Sequence, residues 1–168
     1  MTGADLKERR LSDVGPLFAL VSDDRRAVFP RHQYSSESQL VEDLRRDLAG
    51  RLADGIRGTA SEFEYSRGRT DLIAIVGGGA VLAIEAKLDR WREALHQAYR
   101  NRCFAHVSYV ALPERAAAIA LRFEGEFRDR AVGLVVVTPG GSRCVINAEV
   151  GTPIEPWLTE RARRAIAA

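Results

Sequence analysis

The chain has 168 residues, of which 29% are charged and 46% hydrophobic, and its formal net charge is only +2. This length favours one domain, over residues 35–168, with residues 1–34 as an N-terminal extension packing on it. The near-balance of charge does not by itself call for a nucleic-acid partner. No apolar run is long enough to span a membrane, and residues 1–10 lack an apolar signal region. We therefore expect a cytoplasmic protein in which Cys103 and Cys144 are free thiols.

The first predicted elements are a helix and a strand. Ser35 or Ser36 can cap a helix that runs to about Ala53, because its apolar residues recur at helical spacing. Glu37 lies on the same stripe, in the first turn of this helix. The alternating, aromatic segment Ser61–Ser66 then predicts a strand, which a short turn connects to the next one.

Two short apolar runs, Leu72–Val76 and Ala80–Ile84, flank three consecutive glycines and predict a buried β-hairpin. If the turn centres on Gly78, Asp71 and Glu85 lie at equal distances from it and face each other across the antiparallel pair. Two carboxylates so placed repel each other unless a positive group lies between them. The hairpin therefore predicts a cation near these two acids.

Lys87 adds an amine to this pair of acids. It follows Glu85 by two residues, so the two side chains point to the same side of the strand. Apart from Lys7, every other basic residue of the chain is Arg, which cannot release its proton at a useful pH. Two acids and a lysine at one end of a hairpin predict a site for a hard divalent cation with an ammonium beside it.

The remaining segments alternate between helical and extended patterns, and the predicted order gives an α/β sandwich around a mixed central sheet. We expect both tryptophans, Trp91 and Trp157, to lie in the core. The further predicted elements are a helix Asp89–Arg102, a strand Ala105–Leu112, a helix Glu114–Phe127, strands Ala131–Val137 and Arg143–Ala148, and a helix from Pro156.

The layout of these residues resembles a known family. Asp71 followed by Glu85-Ala86-Lys87, on a hairpin between two helices, resembles the signature of the PD-(D/E)XK nuclease superfamily. The stretch Glu37–Leu44 resembles the first-helix motif of its Holliday-junction-resolvase branch. Gln97-Ala98-Tyr99 resembles the glutamine-bearing helix of several branches. The resemblance covers about Ser35 to Leu112.

The resemblance implies a restriction-endonuclease-like three-layer α/β/α sandwich with an αβββαβ core plus C-terminal additions, although Thr70 replaces the proline of the family name. It implies a Mg²⁺-dependent DNA endonuclease, with Mn²⁺ as a substitute, in which Asp71, Glu85 and the carbonyl of Ala86 ligate the metal. Lys87 would orient or deprotonate the attacking water, or stabilise the phosphate.

The resemblance also implies roles for residues around this centre. Glu37 would hold outer waters of the metal or a second ion, unless it serves only to interact with the helix dipole. Gln97 would position Lys87 or the phosphate, unless it is an ordinary exposed glutamine. DNA phosphates would be contacted by arginines near the site, which otherwise are solvated surface residues: Arg67, Arg69, Arg90, Arg92 and Arg100.

Two other interpretations remain open on the sequence. The first is a catalytically inactive protein of the same fold that binds nucleic acid or a protein partner. The second is a purely structural role for the acids through salt bridges to Lys87 or nearby arginines. A homodimer is compatible with the sequence, which does not define the DNA structure cleaved, the choice between DNA and RNA, or the pathway.

Overall fold

The computed structural model describes residues 34–50 and 55–168, so the N-terminal extension expected over residues 1–34 lies outside the described residues except for Tyr34. In chain order the elements are α1 (Glu37–Ala49), β1 (Ile56–Tyr65), β2 (Gly68–Val76), β3 (Ala80–Ala86), α2 (Trp91–Asn101), β4 (Val107–Pro113), α3 (Glu114–Leu121), α4 (Glu124–Arg128), β5 (Gly133–Thr138), β6 (Gly141–Ile146) and α5 (Pro156–Ala167).

The strands form one six-stranded sheet in the order β1-β2-β3-β4-β5-β6. The first three strands are antiparallel, β3, β4 and β5 run parallel, and β6 returns antiparallel to β5. Helix α2 makes the crossover between the parallel strands β3 and β4, as such a connection requires. The order α1-β1-β2-β3-α2-β4 confirms the predicted αβββαβ core and the restriction-endonuclease-like fold class.

Helix α1 covers one face of the sheet. The side chain of Ser36 caps it by accepting a hydrogen bond from the Gln39 N–H at 3.2 Å. Leu40, Leu44 and Leu48 recur at helical spacing and are fully buried in one cluster with apolar residues of β1 to β5. This apolar stripe fixes the helix on the sheet and so sets the position of its first turn, which contains Glu37.

The other four helices lie on the opposite face and complete the third layer. Helices α2, α3 and α4 pack on β4 and β5. Helix α5 packs through Leu158 and Ala162 on Ile73 of β2 and on Val81 and Ala83 of β3. Because helices cover both faces, every residue of β3 is buried. A glutamate in this strand is therefore an exception that needs a physical reason.

The hairpin between β2 and β3 turns at the glycines. Val76 pairs with Ala80, so Gly77, Gly78 and Gly79 alone form the turn. Gly77 and Gly79 have φ angles of 51° and 99°, in the left-handed region that favours glycine. The turn is therefore centred on Gly78, as the sequence predicted, and this fixes which residues of the two strands are opposite each other.

The end of helix α1 and the start of strand β1 differ from the prediction by four and five residues. Helix α1 ends at Ala49 rather than near Ala53, which lies outside the described residues. Strand β1 begins at Ile56 rather than Ser61 because the buried Ile56 pairs with Val76, so β1 extends along the whole of β2. The antiparallel arrangement predicted for these strands is unchanged by the longer β1.

Two expectations for the C-terminal half are wrong. The segment Glu114–Phe127 is not one helix but two, and Phe123 at the break stacks on Trp91 with ring centroids 5.2 Å apart. Trp91 is buried, but Trp157 is 62% exposed because the neighbouring Leu158 occupies the buried face of α5. Trp157 is therefore a surface residue.

The two cysteines are free thiols, as predicted. Cys103 is buried, and Cys144 is partly buried. Within the part of the chain that the structure describes, no helix has the length and apolar character needed to cross a membrane.

Candidate functional site

The hairpin brings Asp71 and Glu85 together. Leu72 pairs with Ile84, so the next residues along the two strands, Asp71 and Glu85, are opposite each other. The Asp71 Oδ2 atom accepts a hydrogen bond from the backbone N–H of Ala86 at 2.9 Å. The carboxylate of β2 is thus held at the C-terminal end of β3, beside Glu85 and the peptide unit that follows it.

Glu85 is a buried acid with an acid next to it. The residue is only 2% exposed. Burial and, after it, the nearby negative charge of Asp71 raise the pKa of the Glu85 carboxyl from 4.5 to about 8, although a hydrogen bond from Asn101 and the charge of Lys87 oppose the shift. The Glu85 carboxyl is therefore mostly protonated at neutral pH when no cation is bound.

Neither acid has the ion pair that a structural role would require. In residues 34–50 and 55–168, Lys87 forms its ion pair with Glu37, and no ion pair involves Asp71 or Glu85. A buried carboxylate facing another carboxylate destabilises a fold unless a cation compensates it. The interpretation that these acids serve only as salt-bridge partners is therefore not supported by the contacts.

Lys87 connects the end of β3 to the first turn of α1. Its Nζ atom lies 3.2 Å from Glu37 Oε2, and its side chain is 12% exposed against 40% for Glu37. Its backbone N–H donates to the carbonyl of Ala111 in β4, so the residue is fixed at both its main chain and its side chain. Glu37 therefore contacts the lysine of the site, although no contact with Asp71 or Glu85 is seen.

The helix residue that contacts Glu85 is Asn101, which the sequence reasoning did not select. Asn101 Nδ2 donates to Glu85 Oε1 at 2.6 Å. Gln97, one turn earlier, was expected to position Lys87 or a phosphate. Its Oε1 atom is buried and has no hydrogen-bond partner in the described part of the chain. The position of Asn101 on the buried stripe of α2, seven residues after Ala94, was the available signal.

The five arginines predicted to contact DNA fall into two groups. Four of them form ion pairs with glutamates: Arg67 with Glu155, Arg69 with Glu62, Arg90 with Glu93, and Arg92 with Glu126. Arg100 forms no ion pair among the described residues, and its Nε atom is buried without a hydrogen-bond partner. Its guanidinium lies beside Gly68, where the β1–β2 turn meets β2. Of these five arginines, Arg100 is therefore the one most available to an anion.

The residues present fit a hydrated divalent cation. The site offers two carboxylates without an ion-pair partner and the peptide carbonyl of Ala86, all of them hard oxygen donors. Among the described residues no cluster of three or more His, Cys, Asp or Glu side chains is suited to hold a metal. This excludes a cage built from side chains alone, but Mg²⁺ is usually bound through one or two carboxylates and keeps several waters.

Comparisons with known proteins identify the fold alone. No protein-family model and no curated protein matches the chain. A solved protein of unknown function from Silicibacter pomeroyi is similar, with a TM-score of 0.60, 18% identity, and coverage of 79% of this chain and 84% of that one. A repair endonuclease from Pyrococcus abyssi gives a TM-score of 0.42 and 16% identity, and the similarity covers 64% of this chain and 50% of that one.

Proposed function

We propose that this protein is a Mg²⁺-dependent DNA endonuclease of the PD-(D/E)XK type. The observation that supports the proposal is the facing pair of carboxylates that lack an ion pair, Asp71 and Glu85, with the charge of Lys87 close enough to act on Glu85. Such an arrangement costs stability in the absence of a cation, and a bound divalent cation can stabilise the charge that develops on a phosphodiester during hydrolysis.

Asp71, Glu85 and the carbonyl of Ala86 would hold the metal. When bound, Mg²⁺ would neutralise charge that builds up on the phosphate and lower the pKa of a water. Hydrogen bonds within the chain orient the two carboxylates. The Ala86 N–H holds the carboxylate of Asp71, and the side chain of Asn101 holds that of Glu85. Both ligands are thus set before a substrate arrives, which reduces the entropic cost of reaching the transition state.

Lys87 acts on the phosphate and on the attacking water. Its ion pair with Glu37 keeps the ammonium group at the end of β3, where it is mostly shielded from solvent. An ammonium has three donors, so Lys87 can keep its bond to Glu37 and still donate to a phosphate oxygen or to the water. Low exposure strengthens these charge-assisted hydrogen bonds relative to those on an open surface.

Arg100 is the leading candidate for contact with the DNA backbone. Its guanidinium has no ion pair to break among the described residues, whereas the other four arginines would each lose a glutamate partner on binding phosphate. We expect Arg100→Gln to weaken binding uniformly across DNA sequences and to reduce the salt slope by about 1. Arg128→Gln, which removes an exposed arginine paired with Glu124, is the matched control.

The test is cleavage of plasmid, single-stranded and branched DNA in the presence of Mg²⁺ or Mn²⁺. Asp71→Asn and Lys87→Met should each reduce cleavage by about 100-fold or more, because they remove a metal ligand and a proton donor. Asp129→Asn removes an exposed carboxylate at the end of α4 and should retain full activity. Equal cleavage by all three variants would assign the activity to a contaminant and refute the proposal.

Calorimetric titration of Mg²⁺ and Mn²⁺ gives the second, independent test. The wild type should bind a divalent ion, and Asp71→Asn should bind it more weakly. If the wild type binds none, the alternative of an inactive nuclease-fold protein that binds nucleic acid or a protein partner becomes the better explanation.

A further inference from the structure

A buried network of four polar side chains lies behind the candidate metal site. Asn101, at the end of α2, accepts hydrogen bonds at Oδ1 from the Tyr65 hydroxyl at 2.7 Å and from the Thr70 hydroxyl at 3.0 Å. Its Nδ2 donates to Glu85 Oε1 at 2.6 Å. Asn101, Thr70 and Glu85 are each at most 2% exposed, and Tyr65 is 9% exposed.

The network fixes the orientation of the Asn101 amide. An amide oxygen is an acceptor only, and an amide nitrogen is a donor only. A carboxylate oxygen of Glu85 accepts, so the amide nitrogen is directed at Glu85, and Oδ1 then accepts from the two hydroxyls. A half-turn of the side chain would place Oδ1 against Glu85 Oε1, so that two acceptors would meet in a buried site where no water replaces the lost hydrogen bond.

We infer that Asn101 is a positioning residue, aligned by Tyr65 and Thr70, which occupies one carboxylate oxygen of Glu85 and leaves the other for Asp71 and a divalent cation. This inference rests on the proposed function. It adds three residues, from β1, β2 and α2, to the machinery of the site, and none of the three touches the metal itself. Glu85 would then offer its other oxygen to the ion, with the orientation of the carboxylate set by Asn101.

The sharpest test changes only residues that do not contact Glu85. The double variant Tyr65→Phe/Thr70→Val removes both hydroxyls that align Asn101 and keeps the apolar volume nearly constant. We expect it to bind Mn²⁺ about 10-fold to 100-fold more weakly in calorimetric titration, the range typical for loss of an outer hydrogen-bond partner of a metal ligand. Thr70→Ser, which retains the hydroxyl, should keep the wild-type affinity.

Tyr109→Phe is the matched control for loss of a buried tyrosine hydroxyl, because Tyr109 lies on the opposite face, where its hydroxyl accepts a hydrogen bond from the Ala148 N–H. It should bind Mn²⁺ as the wild type does. An unchanged Mn²⁺ affinity in the double variant, beside a wild type that binds the ion, would overturn the inference and leave the proposed function standing.

A measurement on the metal-free protein separates failure of the inference from failure of the proposed function. Nuclear magnetic resonance should show slowly exchanging side-chain amide protons of Asn101 in the wild type and faster exchange in the double variant. If the wild type neither binds Mn²⁺ nor cleaves DNA, the proposed function fails, and this exchange difference alone then supports the alignment of Asn101. Equal exchange rates in both proteins would refute the alignment of Asn101 by Tyr65 and Thr70.

Discussion

The most informative perturbation is the isosteric replacement Glu85→Gln. In the metal-free protein at low pH, the neutral Glu85 carboxyl can accept from Asn101 and donate to Asp71, and a glutamine can do the same with its amide. The variant therefore mimics the protonated state at every pH. It removes one titration from the folded protein and leaves the surrounding hydrogen bonds in place, so its comparison with the wild type isolates the charge of one residue.

The sign and size of the effect follow from the pKa of Glu85. Burial raises this pKa from 4.5 to about 8, so between these values the folded state holds a proton that the unfolded state has released. The free energy of unfolding therefore falls as pH rises from about 4.5 to about 8. At about 1.4 kcal/mol per pKa unit, the full loss is up to about 5 kcal/mol. Glu85→Gln should match the wild type near pH 4.5 and be several kcal/mol more stable at pH 8.5.

The assay is urea unfolding of both proteins at pH 5, 6.5 and 8.5 without divalent ions. Titrating groups far from Glu85 are common to both chains, so their effects cancel in the difference between the two free energies. Adding Mg²⁺ at pH 8.5 should restore stability to the wild type and have little effect on the variant, because the cation compensates the Glu85 charge. A difference that stays constant within about 0.5 kcal/mol from pH 5 to pH 8.5 would refute the reasoning.

Three further variants test the scaffold by urea unfolding. Gly133→Ala should cost about 3 kcal/mol, because its new methyl group would overlap the Tyr109 ring and lie 2.6 Å from the carbonyl oxygen of Ile146; a neutral result would contradict the packing. Leu44→Ala should lower the free energy of unfolding by about 2–5 kcal/mol, because Leu44 is fully buried between α1 and the sheet. A loss below about 1 kcal/mol would argue against the packing of α1 on the sheet. Ser36→Ala should cost about 1 kcal/mol through loss of the helix cap, whereas Ser36→Gly should cost only a few tenths.

The core of the fold could be predicted because its signals are local. Three consecutive glycines between two apolar runs define the hairpin, and counting outward from Gly78 places Asp71 opposite Glu85 without any knowledge of tertiary structure. The spacing of Leu40, Leu44 and Leu48 defines α1 equally well. Both patterns involve residues that are close together in the sequence, so they can be recognised without knowledge of tertiary contacts.

What could not be predicted depends on how elements dock. Gln97 and Asn101 are one turn apart on α2, and only the placement of this helix on the sheet decides which amide reaches Glu85. The prediction that Trp157 lies in the core is wrong for a similar reason, because the docking of α5 buries Leu158 and Thr159 instead. The ion pairs of the arginines, which single out Arg100, join residues from different elements and have no signature in local sequence.

The ion pair between Lys87 and Glu37 and the hydrogen bond between Asn101 and Glu85 have a consequence for synthesis of the protein. These contacts join α1, β3 and α2, so a growing chain completes them only after residue 101 has left the ribosome and α2 has docked. A truncated chain that lacks α1 or α2 would lose one of these two contacts. Under the proposed function, we therefore expect a translation product shortened before residue 101 to leave DNA uncut.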